Sequence, residues 1–234
     1  MSGKGKGRMQ NTSHAVMAQR AEGPDSLDDF PTPPWATRAL IEHVISDKPG
    51  LSQLDCLEPA SGVGHMAKVL HEYFADVRSS DIAPYGYGEV RDFLEFPFQA
   101  KSCDWVITNP PFKLAEEFVQ RGLQVAREGV AILARTVFIE SVGRYANLFS
   151  KTPPTKFAQF TECVPMVKGR LDKKASTATG YGWLVWEHRA SNHSQLVWIP
   201  PCRKTLEKEG DYDAPSKPAV RRARARDQDD LFKA

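Results

Sequence analysis

Asn109, Pro110, Pro111 and Phe112 form the segment of this sequence whose residue types best suit chemistry on a ligand. They follow the apolar run 104–108, which predicts a buried strand that ends at Asn109. The Asn109 side-chain oxygen and the Pro110 carbonyl can both accept hydrogen bonds, and the two proline rings fix φ so that both acceptors point the same way. Phe112 can stack on a flat ring. The segment therefore predicts a site that grips an exocyclic amino group and localises the lone pair of its nitrogen for attack on an electrophile.

A second candidate site lies upstream, in the sequence LEPASGVG of residues 57–64. An apolar stretch precedes it and a helical pattern follows it, so it predicts a glycine-containing turn where backbone amides can approach a ligand. The third glycine of a dinucleotide-binding fingerprint is missing, because Ala67 takes its place. Glu58 at the start of the turn suits a cationic group, such as the α-amino group of S-adenosylmethionine.

Acidic residues recur after the next predicted strand. Asp81 lies at the end of the apolar run 77–82, where a carboxylate can receive ribose hydroxyl groups. Asp92 can accept a hydrogen bond from an adenine amino group, and Phe93 can pack on the face of the ring. These residues predict a cofactor site that precedes the amino-binding segment along the chain.

Alternating short apolar runs and helical patterns position these residues. The runs 54–57, 77–82, 105–108 and 130–134 predict strands; helical periodicity appears at 36–44, with Thr32 as its expected cap, at 66–74 and at 115–126. This order predicts an α/β fold with a doubly wound, mostly parallel sheet whose ligands bind beyond the carboxyl ends of the strands. The runs 157–163 and 183–186 have no helix between them, so an antiparallel pair is expected to close the edge of the sheet.

The chain resembles the compact S-adenosylmethionine-dependent N6-adenine DNA methyltransferases of bacteriophages and prophages. The matching stretches are DFPTPPW at residues 29–35, residues 58–64, Asp81, Asp92–Phe93, NPPF at residues 109–112, and residues 176–186. The likeness spans residues 27–190 and implies a class I methyltransferase, Rossmann-like fold. Members with this motif order usually carry a separate target-recognition domain, for which few residues remain here.

The resemblance implies a role for each matching residue. Cofactor binding is expected from Pro33, Trp35, Glu58, Ala60, Gly62, Gly64, Asp81, Asp92, Phe93 and Asn109, and catalysis from Asn109, Pro110, Pro111 and Phe112. Contacts with the nucleic acid are expected from Phe112, Arg135, Phe138, Lys168, Arg170, Lys173, Lys174 and Tyr181. A base inside a duplex must rotate out of the stack to reach such a site. No metal is needed, because the sulfonium of the donor is already activated.

Length and composition predict one catalytic domain at residues 27–202 between two tails, 1–26 and 203–234, that we expect to be disordered. The sequence has no apolar run long enough for a membrane span and no signal-peptide pattern, so a cytoplasmic location is expected. Its 4 cysteines lie singly, which predicts buried reduced thiols and neither a disulfide framework nor a zinc site.

The charge distribution indicates how a nucleic acid would be held. The formal net charge is +2, but residues 27–202 carry 18 Lys and Arg against 20 Asp and Glu, so binding must depend on local basic groups. One such group is Lys168, Arg170, Lys173 and Lys174; another is Arg135, Arg144 and Lys151. The basic run 221–226 predicts a disordered tail that adds non-specific attraction.

Other activities use the same Asn-Pro-Pro-aromatic device. Adenine in RNA is the main competing substrate; cytosine enzymes more often have Ser in place of Asn109, and glutamine methyltransferases have a helical amino-terminal domain for which this chain has no room. A catalytically inactive nucleic-acid-binding protein of the same fold is the alternative from a different class.

Overall fold

The protein is described from a computed structural model, which covers residues 28–46, 50–188 and 193–213. Eight strands form one sheet in the order β3-β2-β1-β4-β5-β7-β6-β8. The strands are β1 (Asp55–Glu58), β2 (Asp76–Asp81), β3 (Glu89–Val90), β4 (Cys103–Thr108), β5 (Ala126–Arg135), β6 (Lys156–Phe160), β7 (Tyr181–Glu187) and β8 (Gln195–Ile199). The first five strands in this order, β3, β2, β1, β4 and β5, pair in parallel with one another, which confirms the expected doubly wound α/β class.

Helices connect the strands. They are α1 (Pro34–His43), α2 (His65–Leu70), α3 (Ala115–Val125), α4 (Val142–Arg144) and α5 (Arg203–Leu206), with 3₁₀ turns at Leu51–Gln53 and Thr136–Ile139 and a π turn at Tyr145–Phe149. The prediction that Thr32 caps α1 is wrong. Pro33 occupies the N-cap position and no side chain caps the helix. Thr32 instead accepts a hydrogen bond from the candidate site.

The carboxyl-terminal half of the sheet differs from the expectation in one respect. β6 and β7 form the expected antiparallel pair, but the reversed strand β7 lies inside the sheet, between β5 and β6. β8 then pairs in parallel on the outside of β6 and forms the edge. Its residues Leu196 and Trp198 are exposed, so this strand lacks the buried apolar pattern from which the inner strands could be predicted.

Apolar side chains bury both faces of the sheet. Successive residues of β7 divide between two clusters: Trp183 packs with α1 and α2, and Leu184 packs with α3. This division follows from the period of two along a strand. The Trp183 indole also donates to the Ala36 carbonyl at 3.0 Å, which fixes α1 on its face of the sheet.

The fold continues beyond the expected boundary at residue 202. Arg38 of α1 is 3% exposed and forms ion pairs of 2.7 Å with Glu72 and with Asp211. Residues 203–213 are therefore packed on the domain, and the prediction of a disordered tail from residue 203 is wrong for this part. The expected tail 1–26 and the basic run 221–226 lie outside the described residues.

The thiols are reduced, and three of the four lie in the core. Cys56, Cys103 and Cys202 are buried as expected, whereas Cys163 is exposed in the loop between β6 and β7. Burial raises the pKa of the Cys103 thiol to about 12. Within residues 28–46, 50–188 and 193–213, no helix has the length and apolar composition needed to cross a bilayer, and no three potential metal ligands lie together.

Candidate active site at the carboxyl ends of the strands

A cavity lies beyond the carboxyl ends of β1, β2 and β4. Four chain segments line it: 28–32 before α1, 58–66 after β1, 81–94 after β2, and 109–118 after β4. Parallel strands end at the same edge of a sheet, so residues that are far apart in sequence meet here. Both candidate sites of the sequence, the glycine turn and the Asn-Pro-Pro-Phe segment, therefore contribute to one cavity.

Hydrogen bonds fix the side-chain amide of Asn109. Its Nδ2 donates to the Phe30 carbonyl at 2.7 Å and to Thr32 Oγ1 at 3.1 Å. Its Oδ1 is buried and has no hydrogen-bond partner among the described residues. Because a buried acceptor without a donor is costly, this oxygen is suited to receive a donor from a ligand.

The segment 109–112 separates two cavities. Asn109 and Pro111 line the first, whereas Pro110 and Phe112 line a second, together with residues after β5. The Phe112 backbone N–H donates to Asp28 Oδ2 at 2.8 Å, which connects residues 109–112 to the segment 28–32 before α1. Substrate and cofactor groups held on its two sides would thus meet at Asn109 and Pro110.

Arg135 covers the ring of Phe112. Its guanidinium carbon lies 3.9 Å from the centroid of the Phe112 ring and 5.7 Å from that of Phe30. The two rings are themselves 5.2 Å apart and inclined by 36°. This face of Phe112 becomes available to a flat ligand only when the Arg135 side chain moves.

Glu58 is a buried carboxylate in the first cavity. It is 1% exposed, and its Oε2 has no hydrogen-bond partner in the described part of the chain. Burial, and then the nearby charge of Asp81, raise the pKa of Glu58 well above its usual range. A cation beside Glu58 would favour its ionised form and provide a partner for Oε2.

Asp81 at the end of β2 shapes the glycine turn. Its Oδ2 accepts from the Gly62 backbone N–H at 2.9 Å and its Oδ1 from that of Ala83 at 3.0 Å. Gly62 has φ of 53°, a left-handed conformation that favours glycine. The carboxylate is 8% exposed and lines the cavity, as its expected role with ribose hydroxyl groups requires.

The cavity is strongly acidic. Its lining includes the carboxylates Asp28, Asp29, Glu58, Asp81 and Asp92, and none of the described residues that line it is Lys or Arg. Such a cavity attracts a cation and repels an anionic pyrophosphate. Its electrostatics therefore agree with the missing third glycine of the dinucleotide fingerprint.

Apolar residues form the other end of the cavity. Phe93 lines it but is only 2% exposed, with its ring 5.1 Å from that of Phe118. Asp92 Oδ1 accepts from the Leu94 N–H at 2.9 Å, so one carboxylate oxygen holds its own turn. Ile82 and Leu114 are 60% and 40% exposed at the rim, where they can contact the faces of a flat ring.

Three expected cofactor residues do not line the cavity. Trp35 is fully buried and packs edge-on against Phe160, and Pro33 is buried at the start of α1. Gly64 packs against Tyr87: a Cβ at this position would lie 2.5 Å from the ring, and its φ is 85°. Glycine is needed there for packing and for the turn. The remaining expected residues, Glu58, Ala60, Gly62, Asp81, Asp92, Phe93 and Asn109, all line the cavity.

Three further residues line the cavity: Ser61 in the glycine turn and Tyr85 after β2, which the sequence patterns did not single out, and His65 at the start of α2, which the sequence favours as an exposed first-turn residue although it could also reach the cofactor site. Burial, together with Asp29 and Asp81, raises the pKa of Tyr85, so its phenol stays protonated and can donate a hydrogen bond. The position of Tyr85, four residues after the ribose-binding candidate Asp81, is the sequence signal that could have identified it.

The residues expected to contact nucleic acid are dispersed. Phe138 and Arg135 line the second cavity with Phe112, but Tyr181 is 3% exposed in the core and lines neither cavity. The structure therefore brings Tyr181 to neither cavity, and its expected role as a wall for the base stays a prediction. Its place on β7 opposite Arg135 points its side chain into the apolar cluster under α1.

The basic loop between β6 and β7 is partly neutralised. Arg170 pairs with Asp172 at 3.1 Å, and Lys173 pairs with Glu207 at 3.2 Å. Lys168 is half-buried and Lys174 is exposed. The Gly169 N–H donates to the Asp29 carbonyl at 2.9 Å, which places this loop beside the cavity.

Comparisons with protein-family models and with curated protein sequences give no match. Among solved structures, the modification subunit of a candidate type I restriction enzyme from Vibrio vulnificus is 16% identical with a TM-score of 0.53. The match covers 85% of this chain and 54% of that one, so the chain spans about half the length of that protein.

Two further solved structures are similar. A candidate RNA methyltransferase from Pyrococcus horikoshii is 14% identical, with a TM-score of 0.51 and coverage of 74% of this chain and 95% of that one. A candidate class I S-adenosylmethionine-dependent methyltransferase from Listeria monocytogenes is 13% identical, with a TM-score of 0.48 and coverage of 79% and 69%. The chain has a Rossmann-like α/β fold that is similar to the folds of the Vibrio vulnificus and Pyrococcus horikoshii proteins.

Proposed function

We propose that this protein transfers a methyl group from S-adenosylmethionine to the N6 amino group of adenine in DNA. The observation that carries the proposal is the buried Asn109 Oδ1 at the wall of an acidic cavity, an oxygen that has no hydrogen-bond partner in the described part of the chain. An acceptor of this kind is complementary to an N–H donor, and the acidic cavity is complementary to a cationic methyl donor.

The charges of the cavity support a sulfonium cofactor. S-adenosylmethionine carries a positive sulfur and a positive α-amino group, and Glu58 offers a buried carboxylate oxygen without a partner. Asp81 would receive the ribose hydroxyl groups, and Asp92 the adenine amino group, as the order of their strands predicts. Phe93, Ile82 and Leu114 would contact the adenine ring from the apolar end of the cavity.

The chemistry asked of the protein is orientation. Asn109 Oδ1 and the Pro110 carbonyl would each accept one N–H of the substrate amine, which leaves the nitrogen lone pair directed at the methyl carbon. The nitrogen–carbon bond forms as the carbon–sulfur bond breaks, and the electron pair of that bond remains on sulfur as the thioether product. The amine loses its proton to solvent after the methyl group has moved, so no general base is required.

Substrate entry requires a local change. The guanidinium of Arg135 occupies the face of Phe112 on which a base would stack. A flipped adenine would displace this side chain, and the released cation would then be close to the phosphates of the same strand. Arg135 would thus exchange its contact with the Phe112 ring for a contact with phosphates, in agreement with the expected substrate-binding role of this residue.

A two-part assay tests the proposal. Calorimetry measures binding of S-adenosylmethionine to the protein, and tritium transfer from the labelled donor measures methylation of unmethylated duplex DNA and of folded RNA. Nucleoside analysis by mass spectrometry then identifies the modified base. We expect cofactor binding and N6-methyladenine in DNA. Methylation confined to RNA would assign the other adenine substrate, and absence of cofactor binding would contradict the proposal and favour a catalytically inactive nucleic-acid-binding protein.

A further inference from the structure

The segment that follows β5 presents four large apolar side chains to solvent. Val137, Ile139, Val142 and Tyr145 are 56%, 43%, 89% and 65% exposed. Large exposed apolar side chains grouped within one short segment are typical of interaction surfaces, since water contact is unfavourable for each of them. We call residues 136–145 the apolar ridge.

The base of the apolar ridge is firmly held. Phe138 is 6% exposed, and the guanidinium carbon of Arg144 lies 4.4 Å from the centroid of its ring. Arg144 Nη1 donates to the Phe138 carbonyl at 3.0 Å, and the Arg144 backbone N–H donates to Ser141 Oγ at 3.3 Å. The exposed side chains are therefore displayed on a fixed scaffold.

The apolar ridge is continuous with the candidate active site. Val137, Phe138 and Arg144 line the second cavity together with Pro110 and Phe112. β5 pairs with β4 up to Thr108, so the ridge begins at the sheet edge where Asn109 lies. A molecule whose reactive group enters this cavity must lie against the ridge.

The charged residues in and beside the apolar ridge indicate which kind of partner binds it. Residues 135–151 contain the bases Arg135, Arg144 and Lys151 against the single acid Glu140. A surface that combines apolar side chains with cations suits a polymer that offers both base faces and phosphates. A neutral protein partner or a second copy of this chain would not require the cations.

We propose that the apolar ridge is the surface against which duplex DNA lies beside the flipped nucleotide, with Val142 and Tyr145 in contact with the bases that flank the gap. This inference rests on the proposed function. Flipping leaves unstacked neighbouring bases, and an apolar or aromatic side chain restores part of the lost contact. Arg135 and Lys151, which flank the ridge, and Arg144 within it would contact the adjacent phosphates.

Site-specific photocrosslinking tests the contact directly. Val142 and Tyr145 are replaced one at a time by p-benzoylphenylalanine, and the full-length proteins are irradiated with labelled fragments of unmethylated bacterial genomic DNA. Leu196 and Trp198, which are 52% and 62% exposed on the edge strand β8, provide matched controls. We expect crosslinks from positions 142 and 145 only. Equal crosslinking to DNA from all four positions, or no crosslink to DNA from positions 142 and 145, would overturn the inference.

Kinetics separate this inference from the proposed function. Tyr145→Ala and Val142→Ser should each raise the KM for DNA, about tenfold for the aromatic side chain, while cofactor affinity is unchanged. Trp198→Ala should leave the KM unaltered. If DNA is methylated and the ridge variants behave like wild type, the inference is wrong although the proposed function stands. Crosslinks to DNA without methylation would support the ridge and contradict the activity.

Light scattering tests whether a second copy of the chain, and not DNA, covers the apolar ridge. A monomeric mass for wild type and for Val142→Ser agrees with a surface free to bind DNA. A wild-type dimer that Val142→Ser dissociates would assign the ridge to a second copy of the chain and overturn the inference.

Discussion

Thr32 Oγ1 accepts a hydrogen bond from Asn109 Nδ2 at 3.1 Å across 77 positions of the sequence. With the Phe30 carbonyl, it engages both hydrogens of the amide and so determines which way the amide group faces. Asn109 Oδ1 must then point away from these partners. A residue outside the Asn-Pro-Pro-Phe segment thus sets the orientation of the acceptor on which the proposed chemistry depends.

Thr32→Val should lower kcat about tenfold, because loss of one hydrogen bond is worth about 1 kcal/mol and the freed N–H also loses its fixed direction. Cofactor affinity should change little. Thr32→Ser, which keeps the hydroxyl, should restore kcat. Thr37→Val is the matched control, because the buried Thr37 hydroxyl has no partner among the described residues and its removal should be neutral. An unchanged kcat in Thr32→Val would show that the hydrogen bond has no positioning role.

Asn109→Ala should abolish methyl transfer and leave the Kd of S-adenosylmethionine within a few-fold, because it removes the acceptor proposed for the substrate amine, whereas the carboxylates of Glu58 and Asp81, proposed to hold the cofactor, remain. Single-turnover transfer of a labelled methyl group gives the rate, and calorimetry gives the Kd. A turnover number equal to that of wild type would contradict the proposed role of the amide.

Asp81→Ala should weaken cofactor binding by about 1.5–3 kcal/mol, the range for a hydrogen bond to a charged group. It should also lower the melting temperature, since the Gly62 and Ala83 amides lose their acceptor. Asp76→Ala, at the exposed opposite end of β2, controls for charge removal. Calorimetry should find full affinity in the control variant, and a similar loss of affinity in both variants would rule out a specific contact at Asp81.

Cofactor binding should release a proton at pH values below the raised pKa of Glu58. The pKa of Glu58 is raised in the free protein, so the protonated form persists into a range where an exposed glutamate is ionised. The ammonium group of the cofactor favours the carboxylate, so affinity should rise with pH up to the raised pKa. Calorimetry in two buffers of different ionisation enthalpy measures the release. Glu58→Gln should bind the cofactor weakly and release no proton from this site.

The Glu58 pKa also affects stability. Because the pKa of Glu58 is raised on folding, the folded protein holds this proton at pH values where the unfolded chain has lost it. The contribution of Glu58 to stability therefore falls as pH rises from its unfolded pKa to its folded pKa. Glu58→Gln should therefore be more stable than wild type at pH 8. Thermal unfolding at pH 5 and pH 8 measures the difference, and equal stabilities of the variant and wild type at both values would contradict the raised pKa of the buried carboxyl.

Truncation after Cys202 should destabilise the domain by about 3 kcal/mol, because it removes Asp211 from the buried Arg38. A chain that ends at residue 213 keeps this pair and is the matched control. Urea unfolding compares the two truncated chains with the full chain. Equal midpoints would mean that residues 203–213 add nothing to stability.

Local patterns were sufficient for much of the fold and part of the site. The short apolar runs predict β1, β2, β4 and β5, and the polar residues at their carboxyl ends predict Glu58, Asp81 and Asn109 as cavity residues. In each case the information is local: a buried strand followed by a residue whose type departs from the apolar pattern.

Tertiary contacts decided the features that were not predicted. β8 exposes Leu196 and Trp198, so no buried pattern marks it, and residues 203–213 are packed through the ion pair of Arg38 and Asp211, which are 173 positions apart. Trp35 matches the family motif, yet it lies in the core. The contact between Arg135 and Phe112 likewise depends on the pairing of β4 with β5.

The concentration of carboxylates in the first cavity has a consequence for the end of the catalytic cycle. Methyl transfer from a sulfonium leaves an uncharged sulfur, so the spent donor has lost one of the two positive charges that these carboxylates attract. The protein would therefore hold the donor more tightly than the thioether product at the sulfur end, and exchange of spent for fresh cofactor would be favoured without any movement of the fold.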